Sequence, residues 1–258
     1  MSEKNQFPLS RETSHLNKLI IDFGNTFTKI AVFQKDKLIH VQTSTGIDTN
    51  LLDGLKKSFH VEHAIISSVT TFPKVVIKYL EHHFSFIELN HDTPVPIENL
   101  YQSPKTLGKD RLAAVVAAAA MHSGDNCLVI DAGTCITYDF IDSEKKYRGG
   151  SISPGMLLRF RALNTFTSRL PLVPQRNFEG LTGTTTEQSI QAGVINGIVS
   201  EIDGIIGRYK MSSPDLRVLI TGGDMNFFAK KLKSNIFAVP NLVLIGLNEI
   251  LEFNVGKL

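Results

Sequence analysis

Two stretches of this chain, more than a hundred residues apart, share one pattern. Leu19 to Thr28 reads LIIDFGNTFT and Leu128 to Thr137 reads LVIDAGTCIT. Each is an apolar run, then Asp, one residue, Gly, and a Thr four places beyond that Gly. The segments downstream repeat as well. After Thr26 come FTKIAVF, a polar QKDK and LIHVQTS; after Thr134 and Cys135 come ITYDFID, a polar SEKK and YRGGSIS. β-Branched and aromatic residues dominate between the turn signals, so each copy predicts strand, tight Gly turn, strand, polar turn, strand. One Asp-x-Gly alone says little. The same order of elements twice predicts two halves of like topology.

Between and after the copies, strands alternate with helices. HAIISSV (His63 to Val69) and SFIELN predict buried strands around a helix in KVVIKYLEHHF, and KDRLAAVVAAAAMH is an Ala-rich helix. TEQSIQAGVINGIVSEIDGIIGRYK spaces its apolar residues as a long helix, with Thr186 as N-cap and Glu187 in its first turn. LRVLITGGD predicts a strand ending in a double Gly, and MNFFAKKLK a further helix. The expected class is α/β, with a mixed sheet flanked by helices in each half. The chain divides into a polar extension over 1–17, a first half over 18–123 and a second over 124–258. At 258 residues it can bury roughly 70–75% of the surface its unfolded form exposes.

The strand-end carboxylates suggest a nucleoside triphosphate and its cation. Asp22 and Asp131 each close a buried strand, where a carboxylate needs a cation or its water shell. The neighbouring glycines, Gly24 and Gly133, let backbone N–H groups approach phosphate oxygens. Thr26, Thr28, Thr134 and Thr137 add hydroxyls. Either copy alone reads as a hairpin turn whose Asp bonds its own backbone. The pair, with ITGGD as a third Gly-bearing strand end, reads as a clamp on a phosphate tail. No G-x-x-x-x-G-K-[ST], no G-x-G-x-x-G after a strand and no H-E-x-x-H occurs. His82 and His83 read as solvated helix residues rather than ligands. Cys127 and Cys135 have no metal or disulfide spacing and read as buried free thiols. The segment IENLYQSPKTLGKDRLAA (Ile97 to Ala114) breaks at Gly108, just before Asp110 and Arg111 open the Ala-rich helix. Asp110 there is either a plain N-cap or, beside a phosphate clamp, a proton acceptor for a substrate hydroxyl. Arg111 is suited to an anionic group.

Taken together, these segments resemble the actin, sugar kinase and Hsp70 superfamily, whose two ribonuclease H-like (actin-like ATPase) domains each open on such a hairpin. Within it the set is similar to type III pantothenate kinase. DFGNTFTK, ISSV, NLYQSPKTLGKDRLAA, DAGTCITYD, GGSISPG, TGTTTEQSIQAG and ITGGD occur in that family's order from Leu19 onward. The resemblance implies that Asp22, Phe23, Gly24, Asn25, Thr26, Phe27, Thr28 and Lys29 form the first ATP phosphate loop. Thr134 would touch ATP from the second. Asp110 would take the proton of the pantothenate hydroxyl. Tyr101, Gly108, Lys109, Asp110, Arg111 and Thr186 would line the pantothenate pocket. Asp131 would ligate a monovalent cation, potassium or ammonium, alongside ATP with magnesium, and the enzyme would be a homodimer. GTTT at Gly183 to Thr186 departs from the family, which more often has a basic residue and Asn between Gly and Thr; the polar extension is a second departure.

The implied reaction is transfer of the ATP γ-phosphoryl group to pantothenate, the first step towards coenzyme A. A sugar or N-acyl-hexosamine kinase of the same superfamily is the enzymatic rival, and a non-catalytic transcription accessory factor the other. A net charge of +2 gives no general attraction to nucleic acid. Met1 to Lys18 has no apolar signal core, and the apolar run Leu112 to Met121 is shorter than the ~20 residues of a membrane span. A cytoplasmic enzyme without a membrane partner is expected.

Overall fold

The computed structural model describes residues 17–24, 27–68 and 72–255. Asn17–Phe23 (β1), Thr28–Gln34 (β2) and Lys37–Ser44 (β3) form an antiparallel meander. Thr49–Phe59 (α1), Val61–Ser68 (β4), Lys74–His83 (α2) and Ser85–Glu88 (β5) come next. β4 runs parallel to β1 and β5 parallel to β4, giving the order β3-β2-β1-β4-β5. Glu98–Asn99 (β6) and Lys109–Met121 (α3) lead into the second unit. There Cys127–Ala132 (β7), Cys135–Ile141 (β8) and Lys146–Pro154 (β9) repeat the meander. Met156–Thr165 (α4), Thr186–Ser212 (α5), Arg217–Thr221 (β10), Met225–Ala229 (α6), Phe237–Ala238 (β11) and Leu242–Val255 (α7) complete it. β10 runs parallel to β7 and β11 parallel to β10, so the sheet order β11-β10-β7-β8-β9 matches the first, with β6 added on the β9 edge. The two mixed sheets flanked by helices are those the repeated hairpins predict.

The last helix of each half packs against the other half's sheet. α3 lies on β7 and β8, where Val115, Ala117 and Ala118 pack with Cys127, Val129 and Ile141. α7 lies on β1 and β4, where Leu244, Leu247, Ile250 and Leu251 pack with Ile20, Ala31, Phe33 and Ile65. Lys18, buried in β1, pairs with Glu252 of α7. α3 is buried continuously from Arg111 to Ala119, which explains a run of alanines where a surface helix would alternate. α3 and α7 also touch each other, and so closely that a Cβ on Gly246 would overlap the carbonyl of Ala113.

Several local expectations change. The two Asp-Gly turns are not the same length. Asp22 pairs across its hairpin with Lys29, but Asp131 pairs with Thr137, one residue sooner. Gly24 N–H accordingly donates to the carbonyl of Phe27, whereas Gly133 N–H donates to that of Cys135. Because strand side chains alternate faces, the extra residue turns Thr28 inward; it is buried opposite Phe23. The N-cap of α5 is Thr185, whose hydroxyl accepts from Gln188 N–H, and Thr186 is the first helical residue. Gly108, not Asp110, is the N-cap of α3; Asp110 sits inside the first turn and accepts from Arg111 N–H at 2.8 Å. α6 stops at Ala229 rather than running through Lys233. Cys127 is buried as expected, but Cys135 is exposed. The extension up to Leu16, and Val69 of the first-half strand segment, lie outside the described residues.

Candidate active site

Asp22 at the end of β1 and Asp131 near the end of β7 occupy matching places in the two sheets. Each is flanked by its own hairpin partner and by the neighbouring parallel strand, Ser67 of β4 for Asp22 and Thr221 of β10 for Asp131. The first turn of α3 brings a third carboxylate, Asp110, into range of both. Burial, and next the negative charge of Asp110, push the Asp22 carboxyl up to about 7; Asp131 adds to the rise and Lys29 opposes it. Burial, then Asp110, push Asp131 up to about 6, again against the pull of Lys29. Three carboxylates and one lysine thus lie within electrostatic reach of one another, a net negative cluster suited to a cation. Among the described residues no group of three or more His, Cys, Asp or Glu is arranged to hold a metal ion by itself. An ion here would need its remaining ligands from elsewhere, as magnesium commonly takes them from phosphates and water.

The backbone around Asp131 requires close approach. Gly222, just past β10, has φ +96, and a Cβ there would strike the carbonyl of Ala132 and the carboxylate of Asp131. Asp224 N–H donates to that same Ala132 carbonyl at 2.8 Å, so the GGD turn is tied to the second hairpin. Gly155, at the start of α4, donates to the carbonyl of Thr134 at 3.0 Å, and a Cβ on it would overlap Gly133 and Thr134. The backbone of the second turn is therefore held from two sides while the Thr134 side chain stays exposed.

A buried polar network forms the other side of the α3 start. Arg111 donates from Nε to Asp139 at 3.0 and 3.1 Å and from Nη2 at 2.6 Å. Tyr147 donates its hydroxyl to the same carboxylate at 2.6 Å. Burial works against the Arg111 cation, yet the hydrogen bond and charge of Asp139 hold its pKa above the ordinary value. The Tyr147 hydroxyl is pushed up, by burial first and by Asp139 next. The ring of Tyr101 stacks on that of Tyr147, centroids 6.0 Å apart and planes 11° off parallel, and Arg111 lies over Tyr101 at 5.5 Å. Tyr101 N–H is fixed by Asn99 Oδ1 at 3.0 Å, beside the pairing of β6 with β9.

Among the expected site residues, the structure brings Asp22, Lys29, Asp110 and Asp131 together. Tyr101, Gly108 and Arg111 gather at the start of α3, with Arg111 turned to Asp139 rather than to an open anion site. Phe23 is half-buried with its ring 4.5 Å from that of Phe72, and Phe27 is exposed. Lys109 lines a cavity of about 490 Å³ with Ser68, Phe72 and Lys74. Thr186 is exposed, and among the described residues no hydrogen bond joins it to Tyr101 or α3. Asn25 and Thr26 lie outside the described residues. Sequence reasoning missed Asp139 and Tyr147. The signal for Asp139 was an acidic residue one place from a Tyr in an otherwise apolar strand, opposite Gly150, where a Cβ would crowd it.

Residues 18–208 match the family described as type III pantothenate kinase. The chain belongs to the type III pantothenate kinase family. The family member of Phocaeicola vulgatus is 48% identical over 237 residues, 92% of this chain and 98% of that one. That of Bacteroides fragilis strain ATCC 25285 is 45% identical over 241 residues, 93% and 99% of the two chains. Among solved structures, a Campylobacter jejuni protein described as a Baf family transcriptional activator superposes with a TM-score of 0.57 at 23% identity, covering 93% of this chain and all of that one. A glucokinase from an Antarctic psychrotroph gives a TM-score of 0.53 at 12% identity, over 92% and 99% of the two chains. These two likenesses concern the fold, which is that of the sugar kinases. The carboxylate cluster lies within the family match, as do Tyr101, Arg111 and Asp139. Among the described residues no helix is long and apolar enough to cross a membrane.

Proposed function

We propose that this enzyme transfers the γ-phosphoryl group of ATP to the primary hydroxyl of pantothenate. The observation that carries the mechanism is the position of Asp110, a carboxylate at the start of α3 within electrostatic reach of both hairpin aspartates. Phosphoryl transfer asks a protein for alignment and charge compensation rather than covalent chemistry. The two hairpins, Asp22 to Lys29 and Asp131 to Thr134, would hold the triphosphate between them, the second through the exposed hydroxyl of Thr134, since Thr28 is turned inward and the Gly24 and Gly133 N–H groups are used inside their own turns. Lys29 supplies positive charge beside the phosphates. Asp110 accepts the proton of the attacking hydroxyl and fixes its direction, and Tyr101, Gly108, Lys109, Arg111 and Thr186 hold pantothenate. The donor set fits two cations: Asp22 offers an oxygen ligand for magnesium carried by ATP, and Asp131 one for potassium or ammonium. When bound, these cations offset the charge of the phosphates.

The halves 18–123 and 124–258 are proposed as the two actin-like domains, with the cleft between them. Exposed Ile152, Leu157, Phe166 and Leu172, on β9, on α4 and just beyond it, favour a homodimer. Cytoplasmic ATP suits such an enzyme. The test is an assay of the purified protein with ATP, magnesium and potassium on pantothenate, glucose and N-acetylmannosamine. Phosphorylation of pantothenate alone supports the reading. Turnover of a sugar in its place, or of none of the three, overturns it.

A further inference from the structure

We propose that Asp139 and Tyr147 are positioning residues for the acceptor substrate: they hold Arg111 and Tyr101 as one rigid wall beside Asp110. The proposal rests on the pantothenate kinase reading above and extends it to two residues outside the Asp-Gly turns and the start of α3. Asp139 is 1% exposed and Arg111 6%, so neither charge is balanced by water. A buried charge pair of this kind survives only where geometry and additional hydrogen bonds complete it. Here Arg111 gives three contacts and Tyr147 a fourth, all to one carboxylate.

The arrangement is directional. Asp139 takes the Nε and Nη2 edge of the guanidinium, which leaves Nη1 outside the ion pair and sets the plane that lies over Tyr101. Tyr147 uses both ends of its side chain: the hydroxyl on Asp139 and the ring face against Tyr101. β9 then seals the back. Gly150 lies opposite Asp139, where a Cβ would crowd both the Tyr138 carbonyl and the carboxylate, and Gly149, at φ +99, lies beside the Tyr101 ring, whose edge a Cβ there would meet at 3.5 Å. Arg111 N–H donates to Asp110 Oδ1, so the clamp on the Arg111 side chain also fixes the residue that hydrogen-bonds the proton acceptor. A structural core could fill this volume with apolar side chains at no loss. A complete ring of polar contacts converging on the start of α3 fits a positioning task better.

None of these groups belongs to an ATP-facing hairpin turn, so a loss here should fall on the acceptor and spare the nucleotide. The experiment compares wild type, Tyr147→Phe and Asp139→Asn, measuring KM for pantothenate, KM for ATP, kcat and melting temperature. Tyr147→Phe removes one hydroxyl and keeps the ring, and a hydrogen bond to a buried charge corresponds to roughly a 10-fold effect. The expected result is about a 10-fold loss in kcat/KM for pantothenate in Tyr147→Phe. Its KM for ATP should stay within about 2-fold of wild type, and its melting temperature should fall by only a few degrees, roughly what one lost buried hydrogen bond costs, leaving the enzyme folded at the assay temperature. Asp139→Asn should show a larger loss toward pantothenate, and because its charge also reaches Asp131, the ATP comparison is read from Tyr147→Phe. If Asp139→Asn does not fold, Tyr147→Phe decides alone. Unchanged pantothenate kinetics in Tyr147→Phe, or equal losses toward both substrates, would overturn the positioning role while leaving the kinase reading intact. A wild-type protein inactive on pantothenate would instead sink the reading on which the proposal rests.

Discussion

Replacing Asp22 with Asn should make the protein more stable and inactive at once. The carboxyl is harder to ionise in the folded chain than in the unfolded one, with its pKa lifted from 3.8 to about 7. For a group raised in this way, the stabilising contribution is complete below pH 3.8 and disappears as the pH climbs through about 7. At about 1.36 kcal/mol for each pH unit of difference, the burden on the folded state at pH 8 is at most roughly 4 kcal/mol. Asp22 keeps partial contact with solvent, which screens the effect, so roughly 2 kcal/mol is the working figure. Asn has the same shape and no charge to bury. The assay is urea unfolding of wild type and Asp22→Asn, without nucleotide, at pH 8 and pH 5. The variant should be more stable by roughly 2 kcal/mol at pH 8, and the gap should narrow at pH 5, where the wild-type carboxyl takes up a proton in the folded state. Kinase activity at pH 8 should meanwhile fall by roughly 10²-fold or more, since the site loses a phosphate-side ligand. A variant less stable than wild type at pH 8, or a gap indifferent to pH, would show that Asp22 is already neutralised by its neighbours.

Asp110→Asn should lower turnover by roughly 10²–10⁴-fold with folding retained, because Asp110 is not the helix cap and Asn can still accept from Arg111 N–H; near-normal turnover would return Asp110 to a local structural role. Initial rates should rise when sodium is exchanged for potassium or ammonium, and Asp131→Asn should remove that response; equal rates in all three salts would take Asp131 out of the cation site. Gly246→Ala should cost roughly 1–3 kcal/mol or more in thermal unfolding, because its Cβ has no room beside the Ala113 carbonyl; a neutral effect would mean that α3 and α7 can separate freely.

The repeated hairpins were legible because strand, turn and strand are local events. Each is written in residues within a few places of one another, and the likeness of the two halves emerged once the pattern occurred twice. The start of α3 was legible for the same reason, since Gly108 interrupts and KDRLAA resumes. Properties set by register and by distant partners escaped. Asp-x-Gly with Thr four places on looked identical in both copies, yet Lys29 holds in the first hairpin the place that Thr137 holds in the second. The extra turn residue cannot be recognised until the strands are paired. Arg111 looked free to meet an anion because its partner, Asp139, comes from β8, beyond the end of its own helix. Thr185 and Thr186 are equivalent by residue type, and only the direction of the Gln188 N–H distinguishes them.

The crossing of the terminal helices has a consequence for how the chain is made. The face of the first sheet formed by Ile20, Ala31, Phe33 and Ile65 is covered by α7, the last of the described helices to be synthesised. At ribosomal speeds of roughly 5–20 residues per second, that face leaves the exit tunnel on the order of ten seconds before its cover. The first half therefore waits, with strands paired and one side greasy, as a substrate for chaperones or for its own neighbours on a polysome. Degradation of nascent chains, and the yield of any C-terminal fusion, should be governed by that interval rather than by the stability of the finished fold.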